Sequence, residues 1–114
     1  MHRIRLTLLL AAVFAGCGGS SNASDPVEAC RNVFSTLCNK LFQCNPTAAT
    51  QAYGSTSSCA STLSSSCNAA NTSCPSGSSY NAGNASSCIN DYSNQSCTDV
   101  MAGTTPQSCL HVCQ

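Results

Sequence analysis

Eleven cysteines in a chain of 114 residues restrict the fold more than any other feature. Thiols stay reduced in the cytosol and close into disulfides outside it, so what these cysteines do depends on the compartment. The composition supplies little else to hold a structure together. Charged residues make up 7% of the chain and aromatic residues 5%, and there is no tryptophan, so neither large apolar anchors nor dense ion pairing is present.

The amino terminus decides the compartment. A basic start, Met1-His2-Arg3-Ile4-Arg5, is followed by the apolar run from Leu8 to Ala15, and small residues close it. These are the parts of an export signal, and the run is too short to span a bilayer. Ala15-Gly16-Cys17 resembles a bacterial lipobox, in which the cysteine becomes the acylated first residue of the mature lipoprotein. Residues 1–16 therefore read as a lipoprotein signal peptide and residues 17–24, small and polar after Cys17, as an acylated tether. Residues 25–114 read as one disulfide-rich helical domain, since no second core fits in that length. Gly18 rather than Asp follows the acylated cysteine, which directs the reading toward the outer membrane. The expected location is a bacterial cell envelope, with the membrane reached through the lipid anchor.

The mature chain carries Arg31 and Lys40 against Asp25, Glu28, Asp91 and Asp99. Nucleic-acid binding needs clustered Lys and Arg, so a nucleic-acid partner is not expected. With Cys17 taken by lipid, the ten cysteines left are Cys30, Cys38, Cys44, Cys59, Cys67, Cys74, Cys88, Cys97, Cys109 and Cys113. An even number in an exported chain implies five disulfides, drawn from about 945 possible pairings. Each bridge removes roughly 3 kcal/mol of unfolded-state entropy for a loop of ~15 residues. Together such links substitute for a large core.

Asp25-Pro26-Val27-Glu28 is a helix start, with Asp25 as cap, Pro26 in the first turn and Glu28 three residues after the cap. The helix should run to about Cys44 and stop before Asn45-Pro46, with Cys30, Phe34, Leu37, Cys38 and Leu41 on one apolar stripe. Thr47 to Tyr53 suits a short second helix closed by Gly54. From Ser55 to Ser66 hydroxyls dominate, yet Cys59, Leu63 and Cys67 keep helical spacing, so the segment reads as a helix, with a Ser-rich loop pinned by its cysteines as the alternative. Asn68 to Gly83 holds turn residues and reads as a long surface loop stapled by Cys74. Asn84 or Ser86 then caps a helix reaching about Ser96, with Cys88, Ile89 and Tyr92 inward. Thr98–Ala102 gives one more turn ended by Gly103, and after Pro106 Cys109 and Cys113, four apart, should face the same way. The fold class is all-α, a small disulfide-stapled bundle of three to four short helices with Ser- and Asn-rich loops.

Cys30 and Cys38 are separated as Cys59 and Cys67 are, with Phe34 and Leu63 midway. Eight residues along a helix is ~12 Å, too far for one pair to bond within its own helix. Two antiparallel helices place Cys30 beside Cys67 and Cys38 beside Cys59, and the other six cysteines then tie the loop and the C-terminal helix to this hairpin. Metal binding is the competing reading. Cys109-Leu110-His111-Val112-Cys113 gathers ligand types, but zinc knuckles use Cys-x2-Cys pairs and the chain has none, so no metal or cofactor is expected. Catalysis is not expected either. His111 is the sole histidine after processing, no Gly-x-Ser-x-Gly occurs, and the carboxylates are scattered.

Thr36-Leu37-Cys38-Asn39-Lys40-Leu41-Phe42-Gln43-Cys44-Asn45-Pro46, Tyr53-Gly54-Ser55 before Cys59, and the later Ser66-Cys67, Ser87-Cys88, Gln95-Ser96-Cys97 and Thr105-Pro106-Gln107-Ser108-Cys109 together resemble a group of cysteine-rich lipoproteins of myxobacteria and their relatives. The match runs from about Ala29 to Cys113. It implies export and a small disulfide-bonded helical domain, and it brings no activity with it. This chain departs from the group in its Ser and Asn content between the cysteines, and the length of the middle helix depends on that. The expected role is structural, or binding of an envelope protein or glycan, with an inert spacer as the alternative and a metal or redox carrier as a distant third. A patch grouping Tyr53, Tyr80 and Tyr92 favours binding, and scattered tyrosines favour the spacer.

Overall fold

The computed structural model describes residues 23–114, so the signal peptide, Cys17 and most of the tether lie outside the described residues. Among the described residues six α-helices follow one another: α1 (Pro26–Cys44), α2 (Pro46–Tyr53), α3 (Thr56–Ser64), α4 (Ala69–Thr72), α5 (Ala82–Asn94) and α6 (Cys97–Ala102). A 3-10 turn, Gln107–His111, closes the chain. The bundle is all-α and is divided more finely than three or four helices, because capping residues recur throughout.

Asp25 accepts the Glu28 amide at 2.9 Å and starts α1. Asn45 serves two helices at once. Its N–H donates to the Leu41 carbonyl at 2.9 Å, while its Oδ1 accepts the Ala48 amide at 3.2 Å, so α1 ends and α2 begins at one residue. Pro46 reinforces the break, having no N–H to continue α1. Ser55, Asn68, Asn81 and Ser96 cap α3, α4, α5 and α6 through the same side-chain acceptor geometry.

Three expectations need correction. The middle helix stops at Ser64, and Cys67 lies beyond its end. There the Ser65 hydroxyl donates to the Thr62 carbonyl at 2.8 Å and Ser66 to Leu63 at 3.5 Å. Hydroxyls compete in this way for the carbonyls a helix would use. The stretch from Asn68 to Gly83 is not wholly a loop, since α4 forms within it. Finally, α5 is capped by Asn81, neither Asn84 nor Ser86, with Oδ1 accepting the Asn84 amide at 2.8 Å, and it ends at Asn94. The Asn84 side chain instead donates to the His111 carbonyl at 2.8 Å, holding the terminal turn against α5.

Helix α1 is the spine, and α3, α5 and α6 pack along it, with the terminal turn against α5. The core is small: Ala23, Ala29, Ala85 and Ile89 are buried, with Val33, Tyr80 and Val112 packed on them. Of the expected stripe, only Cys38 is fully buried, while Phe34, Leu37 and Leu41 are half-exposed. Toward α3 the seam is occupied by disulfides instead: Cys38–Cys59, both residues fully buried, and Cys30–Cys67 join the two segments at Cα–Cα distances of 5.9 and 5.7 Å. Among the described residues no helix is long and apolar enough to cross a membrane.

Candidate functional site

The ten cysteines after Cys17 close five disulfides. Cys30–Cys67 encloses Cys38–Cys59 in sequence, the same pairs the helical spacing points to. Cys74–Cys113 encloses Cys88–Cys109 in the same way. Cys44–Cys97 joins the two nested units. Cys109 and Cys113 do not face the same partner. Cys109 sits in the 3-10 turn, whereas Cys113 lies beyond its end in the bridge to Tyr80, so the two do not share one helix face.

That pairing spends the sulfurs of the Cys109-to-Cys113 segment. His111 is exposed, and among the described residues no three of His, Cys, Asp and Glu group as ligands for an ion.

Beside the core, α1, α5 and the terminal turn frame an open groove of about 290 Å³. Pro26, Ala29 and Val33 line one side, Ala85 and Tyr92 the other, and Tyr80 and Val112 the end, with no charged residue among the lining groups. Tyr80 is placed there by pairing that the sequence did not disclose. Residue 79 exchanges backbone hydrogen bonds with Gln114 at 2.6 and 2.9 Å, and the Asn81 amide donates to the Val112 carbonyl at 2.7 Å, so Tyr80 opposes Cys113 in a single antiparallel bridge. Its hydroxyl then donates to the Ala23 carbonyl, 57 residues away, and lies 3.4 Å from that of Asp25. Burial, and then the Asp25 carboxylate, raise the Tyr80 phenol above its usual value. The described chain thus begins beside the groove, because Ala23, 4% exposed, belongs to the same apolar cluster as the groove's lining.

A second cleft, of about 380 Å³, is polar. Asn32, Asn39, Lys40 and Gln43 of α1 face Asn90 and Ser93 of α5 across it. Amides and hydroxyls of this kind match the hydroxyl groups of a sugar, donor to acceptor. The tyrosines divide between locations: Tyr80 and Tyr92 share the apolar groove, and Tyr53 lies in a separate hollow with Leu41, Ala48 and Met101. Position 80 was legible only as part of a turn-rich loop, since nothing in its neighbours encodes a partner 57 residues upstream. Comparison with protein families, with curated proteins and with solved structures returns no match.

Proposed function

We propose that the chain is a lipid-anchored cell-envelope protein with a structural or binding role and no catalytic activity, a member of the cysteine-rich lipoprotein group that its cysteine order resembles. One observation carries the reading: the five bridges consume every cysteine except Cys17, leaving that residue, in its lipobox, for acylation. Closed disulfides fit an oxidising envelope compartment, outer membrane rather than cytosol. Stable anchoring needs more than one acyl chain, which a bacterial lipoprotein cysteine supplies.

Intact mass of the envelope-extracted protein, before and after alkylation without reductant, tests this. The expected mass begins at an acylated Cys17 and does not change on alkylation. Alkylated cysteines would reopen the metal or redox reading. Cys17→Ser should move the protein from the membrane to the soluble fraction, and a variant that stays with membranes would sink the anchor. The polar cleft favours a glycan-binding role over an inert spacer. Titrating the Cys17→Ser chain with envelope oligosaccharides should shift the amide resonances of Asn32, Asn39 and Asn90; unmoved resonances would leave the spacer.

A further inference from the structure

We infer that the apolar groove houses one acyl chain of the protein's own Cys17 whenever the protein is in water rather than in a bilayer. The inference rests on the lipid-anchor reading above and adds a site to it. Three observations carry it. The groove is lined by Pro26, Val33, Ala85, Tyr92 and Val112 without a charge, as a hydrocarbon requires. The first described residue stands beside it, since Ala23 is packed in the cluster that forms the groove wall and is held there by Tyr80. Cys17 is six residues before Ala23, so an extended tether reaches at most about 20 Å, which keeps the acyl group within range of the groove and at high effective concentration.

The size sets the occupancy. At about 290 Å³ the groove matches the lower end of small-molecule pockets, enough for part of one chain and not for several. Each methylene withdrawn from water favours the seated state by about fourfold. In a bilayer the same methylenes are already out of water, so the groove competes only during aqueous exposure. By stabilising the aqueous state it lowers the cost of leaving a membrane, and it reduces the preference for the bilayer by the same factor.

A photo-crosslinker tests the assignment on the full acylated protein. Tyr92 is replaced by p-benzoylphenylalanine, Thr72 at the groove margin carries the same group in a second variant, and Lys40 in the polar cleft carries it in a third. Intact mass first establishes acylation and five closed bridges. Detergent is then removed, the protein is irradiated, and digestion locates the adducts. The expected result is an adduct between position 92 or 72 and the protein's own acyl chain, at least ~10-fold above that at position 40. Acylated protein with equal or absent adducts at all three positions overturns the groove assignment and leaves the anchor standing. Protein with no acyl group on Cys17 overturns both.

Discussion

Gly103 ends α6 with φ 72° and ψ 25°, the left-handed conformation, and nothing lies within 4 Å of where its Cβ would be. The strain of a side chain there is wholly backbone strain. Gly103→Ala should therefore cost about 1–2 kcal/mol in denaturant unfolding, and an unchanged midpoint would mean that the turn relaxes freely. Asn81 acts through a single acceptor, the Oδ1 that holds the Asn84 amide at 2.8 Å. Asn81→Ala should cost about 1 kcal/mol, whereas Asn81→Asp, which keeps the acceptor, should cost much less. Tyr80 ties Ala23 to the core, and its phenol is raised by burial first and by Asp25 second. A group whose folded value lies above its unfolded one contributes stability that is complete below the usual tyrosine value of about 10 and is lost as pH rises through the raised value. Wild type should thus lose stability relative to Tyr80→Phe as pH rises above about 10, and a constant difference between the two would exclude the linkage.

At the scale of elements, caps were legible and lengths were not. Asp25, Asn45 and Gly54 announce the limits of α1 and α2 by local chemistry alone, and the structure places them there. Helix α3 is shorter than its cysteine spacing implies because Ser65 and Ser66 turn their hydroxyls onto carbonyls of the preceding turn, a choice that periodicity does not register. The bridges that fasten these elements differ in access. Cys38 and Cys59 are 0% exposed, while Cys97 is exposed and Cys44 half-buried. Under limiting reductant, alkylation and mass mapping should find Cys44–Cys97 open well before Cys38–Cys59, since exchange needs access to a sulfur. The reverse order would show that the α1–α3 interface opens more readily than its burial implies.

In the whole molecule, two nested pairs of bridges are held together by Cys44–Cys97, which closes the longest loop, with a sequence separation of 53. Replacing both of its cysteines by Ser should cost up to about 4 kcal/mol in the chain-entropy treatment. The protein should remain folded, because Ala29 of α1 and Ala85 and Ile89 of α5 still share one core. Calorimetry showing two separate transitions would mean instead that the units are independent without the link. The sequence by itself determined the helical class, the hairpin of Cys30 and Cys38 with Cys67 and Cys59, and the turn residues. Those depend on spacing of 3.6 residues, on caps and on the parity of cysteines, all of which are local or countable. Only the tertiary structure decided which of the remaining cysteines pair and where the groove opens. It also decided that Tyr80 reaches Ala23. Those outcomes require the chain's beginning, middle and end to meet at one place, and contacts 57 residues apart leave no periodic trace in the sequence.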